Sequence, residues 1–372
     1  MKVLIVFGTR PEAIKMAPVV RRLRDDPRVE AVVCVTGQHR SMLDQVLSIF
    51  GIRPDIDLNI MKPGQSLTDI TVAVLRGLEK VIADERPDAI LVHGDTTTAM
   101  AAAMAGFYGQ VPVGHVEAGL PTRDLSRPWP EEMNRCYIDI VGRWLFAPTE
   151  VSRAALLAEQ ISDDRIWVTG NTVIDALLFA RDVVRNDASR RAEFDDRFSY
   201  LDPAKRMVLV TGHRRENFGG GLERMCSALA RLASRGDVQI VYPVHLNQNV
   251  QKAAQDILSG VDDVFLVDPQ EYLPFVYLME RSHIMITDSG GIQEEAPALG
   301  KPVLVTRDVT ERAEAVAAGT ARLVGTDPDT ILAEASRLLD DEALYTRVSE
   351  TKNPYGDGRA AERIAEVIAN AQ

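Results

Sequence analysis

Short apolar runs rich in valine and isoleucine recur throughout this chain, and stretches of helical pattern separate them. Such runs are typical of strands that are buried on both faces, as in a parallel sheet. Their alternation with helices predicts an α/β protein with doubly wound, Rossmann-like parallel sheets. The predicted strands cover residues 3–7, 31–35, 89–92, 111–116 and 144–147, and then 207–210, 238–242, 264–267, 283–287, 303–306 and 321–324.

The strand series stops between roughly residues 180 and 206, where the chain is charged and poor in apolar residues. A length of 372 residues suits about two domains of ordinary size. We therefore predict a first domain over residues 1–170, a second over residues 171–357, and a final helix within residues 358–372.

The balance of charge argues against a nucleic-acid-binding protein, because 42 basic and 54 acidic residues leave a net charge of −12. Cys34, Cys136 and Cys226 are widely spaced, so the sequence indicates neither a zinc ribbon nor a disulfide framework. The first apolar run is too short for a signal peptide, and no run approaches the ~18 residues of a membrane-spanning helix. We expect a cytoplasmic protein with no nucleic-acid or membrane partner.

Several motifs with a known chemistry are missing from the chain. It has no G-x-G-x-x-G, no G-x-x-x-x-G-K-[S/T], no H-E-x-x-H and no G-x-S-x-G. This pattern argues against a bound nicotinamide cofactor, a Walker-type ATPase, a zinc protease and a lipase-like hydrolase.

Charged residues follow three predicted strands of the first half. Arg10 and Lys15 follow the first strand at the start of a helix, where an anion could bind, although a plain turn with surface charges is the alternative. Asp95 and Glu117 follow two later strands, and Glu131 begins a helix. Asp95 could be a helix cap and Glu131 an ordinary first-turn acid. Together the three carboxylates could meet in one crevice, which favours shifted pKa values and acid–base chemistry.

The second half repeats this pattern of polar residues at strand ends. His213 follows a strand between a glycine and two arginines, which favours a role in binding phosphate or moving a proton. The segment DSGGIQEE at residues 288–295 joins a strand to a helix, and its glycines allow backbone amides to approach a diphosphate. Glu295 could accept hydrogen bonds from a ribose, and Arg312 adds a cation. Phe275 could stack on a base, although core packing is the better explanation of this residue taken alone.

Taken together, these segments resemble the non-hydrolysing UDP-N-acetylglucosamine 2-epimerases. The matching segments follow one another across nearly the whole chain. They are GTRPEAIKMAP, HGDTTT, GHVEAGL, PWPEEMNR, TGNTVIDAL, TGHRREN, YPVHLN, PQEYLPFVYL, TDSGGIQEEAP, GKPVLV, AGTARLVGT and NPYGDG.

The resemblance implies a GT-B architecture, in which two Rossmann-like domains flank a central cleft and the C-terminal helix crosses back to the first domain. It also implies a homodimer that needs no metal or other cofactor and interconverts UDP-GlcNAc and UDP-ManNAc. The C2–H bond of the sugar is not adjacent to a carbonyl, so direct deprotonation is very unfavourable. Departure of UDP from C1 acidifies this bond, and a carboxylate removes the C2 proton, which gives 2-acetamidoglucal and UDP. Re-addition of UDP, with a proton delivered to the other face, inverts C2.

By similarity, the catalytic candidates are Asp95, Glu117, Glu131 and His213. Asp95 and Glu117 are expected to handle the C2 protons, with Glu131 sharing that work, while His213 and Arg10 stabilise the departing diphosphate. The remaining residues that match substrate-binding positions of the family are Lys15, Arg135, Gln270, Phe275, Ser289, Gly290, Gly291, Glu295 and Arg312.

The chain departs from the family pattern near Glu117, where Pro121 stands in place of an arginine. This change keeps open a related substrate, such as a UDP-diacetamido sugar. Some bacterial members bind a second UDP-GlcNAc as an activator, and Gln38, Arg214 and His245 match positions used there.

Three other functions are alternatives to this one. A hydrolysing 2-epimerase would release ManNAc and UDP, but the complete GTRPEAIK segment favours the non-hydrolysing branch. A GT-B glycosyltransferase would need an acceptor site that these motifs do not indicate. A UDP-sugar sensor without catalysis would have no use for the four catalytic candidates.

Overall fold

The computed structural model describes residues 1–37 and 40–371, which form two compact units. The first unit comprises Met1–Ala176 and Tyr355–Gln372, and the second comprises Leu177–Pro354. The divisions expected near residues 170 and 357 fall close to these points, and the segment after the second division belongs to the first unit.

A parallel sheet forms the centre of the first unit. Its strands are β1 Lys2–Phe7, β2 Glu30–Val35, β3 Ile56–Asp57, β4 Ala89–His93, β5 Val113–Val116, β6 Trp144–Ala147 and β7 Ile166–Val168. They lie in the order β3-β2-β1-β4-β5-β6-β7. The five predicted strands are confirmed. β3 and β7 escaped prediction because two or three residues at a sheet edge are too short to show a pattern.

Helices flank this sheet, and one of them continues into the second unit. They are α1 Arg10–Asp25, α2 Arg40–Phe50, α3 Leu67–Glu85, α4 Thr97–Tyr108, α5 Glu131–Val141, α6 Glu150–Ala158, α7 Thr172–Asn186 and, at the end of the chain, the C-terminal helix Ala360–Ala369. α4 is rich in alanine and nearly all buried, so its backbone packs closely against the sheet and α3.

The second unit has a smaller parallel sheet of the same kind. Its strands are β8 Arg206–Thr211, β9 Val238–Pro243, β10 Val264–Val267, β11 Ile284–Thr287, β12 Val303–Val305 and β13 Ala321–Leu323, in the order β10-β9-β8-β11-β12-β13. All six predicted strands are confirmed. The helices are α8 Ala188–Arg197, α9 Gly221–Ala233, α10 Gln248–Leu258, α11 Tyr272–Arg281, α12 Gly290–Glu295, α13 Ala313–Ala318, α14 Pro328–Asp340 and α15 Glu342–Ser349.

Each sheet contains one topological switch point, where the chain reverses the direction in which it adds strands. In the first unit β1 pairs with both β2 and β4, and in the second unit β8 pairs with both β9 and β11. The connections after such strands run to opposite faces of the sheet and leave a crevice at its carboxyl edge. Asp95 follows β4 at the first switch point, and His213 follows β8 at the second.

The C-terminal helix is anchored to α7 within the first unit. The Asp175 carboxylate accepts hydrogen bonds from the backbone amides of Ala360 and Ala361, at 3.2 and 2.9 Å. Burial raises the pKa of Asp175 to about 6, although these two hydrogen bonds oppose the rise. An acid at the start of a helix also complements the helix dipole.

Candidate active site

The carboxyl ends of β1, β4 and β5 lie side by side at the edge of the first sheet, and each continues into a polar loop. The first loop is organised by Glu12, which is only 1% exposed. Its carboxylate accepts hydrogen bonds from the amides of Gly8 and Thr9 and from the Thr96 hydroxyl, at 3.0, 2.7 and 2.6 Å. An anion was expected to bind at the start of α1. The Gly8 and Thr9 amides there instead donate to the chain's own Glu12 carboxylate, which joins the β1 and β4 loops.

Glu117 lies directly after β5 in a left-handed backbone conformation, with φ of 69°. One of its oxygens, Oε1, accepts from the Lys15 ammonium at 2.5 Å and from the Asn171 amide at 2.8 Å. The other oxygen, Oε2, lies 3.2 Å from Nε2 of His93, although the ring is not aligned for a hydrogen bond.

The charge on Glu117 is set by two opposing effects. Burial on its own raises the pKa of this carboxyl group, but Lys15 and His93 outweigh burial and hold the pKa well below its usual range. Glu117 is therefore ionised at neutral pH, in contact with a cation.

Asp95 is part of a second network, which is centred on Arg135. The Arg135 guanidinium donates to Asp95 and, one helical turn back, to the Glu132 carboxylate. The other oxygen of Glu132 accepts from the amides of Thr122 and Arg123, at 2.8 and 2.7 Å. Glu132 therefore connects Asp95, through Arg135, to the loop that contains Pro121.

Glu131 takes no part in either network. It is the first residue of α5 and is half-buried, and its carboxylate forms no hydrogen bond or ion pair with the described residues. Arg10 is likewise half-buried, at the first position of α1. The glutamate that the structure brings to Asp95 is the neighbouring Glu132, which is fully buried.

The loops after β8 and β11 meet at the switch point of the second unit, where Asp288 connects them. Asp288 is fully buried, and its Oδ2 accepts from the amides of His213 and Arg214, both at 2.8 Å, and from the Asn217 side chain at 3.3 Å. The His213 ring stacks on the ring of His245, with 5.2 Å between the centroids. Burial lowers the pKa of His213, as do His245 and Arg214, while Asp288 opposes the decrease.

The glycine-rich turn after β11 has two arginines beside it. A side chain at Gly290 would lie 3.7 Å from the Arg312 guanidinium and 3.9 Å from that of Arg214. The guanidinium of Arg312 donates to the buried Glu294, which fixes its position. This turn therefore combines a bare backbone with two cations, a combination that suits a phosphate group.

The other predicted residues of the second unit occupy the same sheet edge or the helices near it. Phe275 is half-buried in the first turn of α11, and Gln270 is half-buried just before that helix. Glu295 is the last residue of α12, and Ser289 precedes that helix. Of the three predicted activator residues, Arg214 and His245 lie close to His213, and Gln38 lies outside the described residues.

Several residues of these networks were not predicted, although some of them belong to recognisable sequence patterns. Thr9 and Glu12 have the spacing of a capping box, which the structure shows. Glu132 has the i, i+3 spacing of a helical ion pair with Arg135, which was predicted in a substrate-binding role. His93 and Asn171 follow no such pattern, because they are distant from Glu117 in sequence and only the folded chain brings them into contact with it.

Two general findings concern the described residues, 1–37 and 40–371. They contain no cluster of three or more His, Cys, Asp or Glu side chains that could hold a metal ion. None of their helices combines the length and the hydropathy that a bilayer crossing requires.

Two Rossmann-like units, each with polar residues at its switch point, define an α/β protein of the GT-B class. The UDP-N-acetylglucosamine 2-epimerase family model matches residues 21–369 of the chain. The UDP-N-acetylglucosamine 2-epimerase of Escherichia coli K12 is 59% identical over 371 residues, which cover 100% of this chain and 99% of that protein. The chain therefore belongs to the UDP-N-acetylglucosamine 2-epimerase family, as the sequence predicted.

Solved structures agree with this assignment. The crystal structure of the Neisseria meningitidis UDP-GlcNAc 2-epimerase bound to UDP-GlcNAc is 50% identical, covers both chains completely and has a TM-score of 0.89. The Methanocaldococcus jannaschii enzyme in complex with UDP-GlcNAc and UDP is 31% identical, also covers both chains completely and has a TM-score of 0.79. The predicted fold class and the predicted enzyme class, a carbohydrate epimerase, are confirmed.

Proposed function

We propose that this chain interconverts UDP-GlcNAc and UDP-ManNAc by the non-hydrolysing route, through elimination of UDP to 2-acetamidoglucal and re-addition. The observation that carries the proposal is a pair of carboxylates on neighbouring strand ends of the first unit, each held by a different cation. Glu117 is held by Lys15 and Asp95 by Arg135. Epimerisation needs one group that removes the C2 proton and a second that supplies a proton to the opposite face, and two separately held carboxylates fit this need.

The other predicted residues are assigned supporting roles. His213, Arg312 and the backbone at Ser289, Gly290 and Gly291 bind the diphosphate and stabilise its charge as the C1–O bond breaks. Gln270 and Phe275 contact the base, and Glu295 the ribose. Arg10 adds a cation, and Glu131 shares the handling of the C2 protons with Asp95 and Glu117. The proposed route needs no redox cofactor, because elimination of UDP and its re-addition are each redox-neutral.

Incubation with UDP-GlcNAc in deuterated water, followed by proton NMR, tests the proposed reaction. We expect UDP-ManNAc to accumulate to a stable mixture, with deuterium at C2 of both sugars, because the proton that is removed exchanges with solvent. Release of free ManNAc with an equal amount of UDP would show a hydrolysing epimerase instead. Binding of UDP without turnover would indicate a sensor or a different sugar, and would direct attention to the loop of Pro121.

We also propose that the chain is a homodimer and that it works in the cytoplasm. Large apolar side chains are exposed on three neighbouring helices of the first unit: Val72 on α3, Phe107 and Tyr108 on α4, and Ile140 on α5, with exposed fractions of 53, 59, 72 and 67%. Exposed apolar side chains of this size favour association. All three cysteines are unpaired thiols, which suits a reducing compartment.

Replacing Tyr108 by glutamate is expected to convert the dimer into a monomer, because a two-fold interface would bury the new charge twice. Sedimentation velocity should give about twice the chain mass of 41.0 kDa for the unmodified protein and about that mass for the variant. Val151→Glu is the matched control, since Val151 is 59% exposed on α6. A monomeric unmodified protein would disprove the dimer.

A further inference from the structure

The two oxygens of the Asp288 carboxylate differ: Oδ2 is hydrogen-bonded, whereas Oδ1 is not. Oδ2 accepts three hydrogen bonds, two of them from the backbone of the His213 loop. Oδ1 has less than 1 Å² of exposed surface and no hydrogen-bond donor among the described residues. Burial of an acceptor without a donor is destabilising, so a donor that reaches Oδ1 binds it favourably.

The ring of His213 lies next to Asp288 Oδ1 and can supply a donor to it. Its Nδ1 lies 3.6 Å from Asp288 Oδ1, just beyond hydrogen-bond distance, and the His213 side chain is 41% exposed. Because Oδ2 is bonded to the His213 backbone, the carboxylate cannot move away from the ring. A small rotation of the exposed ring closes the distance, whereas the buried carboxylate is fixed.

We propose that Asp288 is a positioning residue that keeps a proton on Nδ1 of His213 and so directs Nε2 toward the ligand. The two ring nitrogens lie on opposite sides of the imidazole, so an Nδ1–H donated to Asp288 leaves Nε2 facing the diphosphate. Nε2 is an acceptor in the neutral ring and donates to an anionic oxygen only after a second proton binds. Asp288 also stabilises the ring when both nitrogens are protonated, the form in which Nε2 donates to that oxygen. The catalytic part of this proposal rests on the function proposed above.

Asp288→Asn is the informative substitution. Its side-chain oxygen can still accept from the amides of His213 and Arg214, but its amino group then faces Nδ1. The ring must present a lone pair to that amino group, so its proton moves to Nε2. We expect kcat to fall about 100-fold, because the neutral amide no longer stabilises the doubly protonated ring as charge develops on the departing diphosphate. UDP affinity should change less than about threefold, because Nε2–H can still donate to bound UDP. Asp202→Asn makes the same chemical change at an exposed site of this unit and should leave both values unchanged.

A double-mutant cycle separates positioning from a general structural role. If Asp288 acts through His213, Asp288→Asn should slow the His213→Gln enzyme by less than about twofold, because the group it positions is already absent. A further 100-fold loss in that background would overturn the proposal. Wild-type turnover is the reference, so its complete absence would reject the proposed function and not the role of Asp288.

The tautomer can be measured in the unmodified protein, independently of activity and of how well the variant folds. In protein with ¹⁵N-labelled histidine, the His213 signals are those that are missing from His213→Gln. We expect a protonated Nδ1 and a bare Nε2 in the neutral ring. The opposite tautomer, with the proton on Nε2, would overturn the proposal.

Discussion

Asp95→Asn is expected to reduce epimerase turnover by about 10²–10⁴-fold, the usual loss on removal of a proton-transfer group. The amide keeps the shape of the side chain and can still accept from Arg135, so the network from Asp95 to Glu132 should persist. What it loses is the ability to accept a proton. Binding of UDP should stay within about threefold of the unmodified protein, because its proposed contacts, apart from Arg10, lie in the second unit.

The comparison for this variant is Asp84→Asn, since Asp84 is exposed near the end of α3. Initial rates are measured from UDP-GlcNAc and from UDP-ManNAc, together with deuterium exchange at C2. A variant that removes the base for one face should lose exchange from one epimer more than from the other. A loss of less than tenfold in both directions would exclude Asp95 from proton transfer.

Glu117→Gln is expected to have an effect of similar size, about 10²-fold or more on turnover. It removes the negative charge beside Lys15, so this ion pair is lost while Asn171 can still donate to the new side chain. If Asp95 and Glu117 act on opposite faces, Glu117→Gln should show the opposite asymmetry in exchange. Glu150→Gln on α6 is the control, because Glu150 is 75% exposed. If Asp95→Asn and Glu117→Gln both lost C2 exchange mainly from the same epimer, the two carboxylates would not act on opposite faces of the sugar.

Glu117→Gln should also change how stability depends on pH. The folded protein holds the pKa of Glu117 well below that of the unfolded chain, about 4.5, so the ionised carboxylate stabilises the fold. That contribution is complete above about pH 4.5 and is lost as the pH falls through the folded pKa. Urea unfolding should therefore show a constant difference from the variant between about pH 6 and 8, and a smaller difference below about pH 4.5. A difference that grows on acidification would show that Glu117 is not held ionised.

The loop after β5 shows how far an expectation from sequence can reach. The apolar runs predicted β4 and β5, and the positions of Asp95 and Glu117 after these strands predicted that the two carboxylates could meet in one crevice. The cation partners were not assigned: Lys15 lies 102 residues from Glu117, and Arg135 lies 40 residues from Asp95. Periodicity shows which face of a segment is buried, but it does not show which distant side chain reaches a given carboxylate.

The sequence by itself determined the α/β class, the strands of each sheet apart from the edge strands β3 and β7, and the family. These properties depend on local patterns: apolar runs, helix caps and the order of the motifs. Tertiary structure alone decided that Lys15 binds Glu117, that Arg135 binds Asp95, that Glu12 reaches Thr96, and that Asp288 holds the His213 loop. The reason is physical. A hydrogen bond depends on distances of a few tenths of an ångström between groups that only strand order and packing bring together.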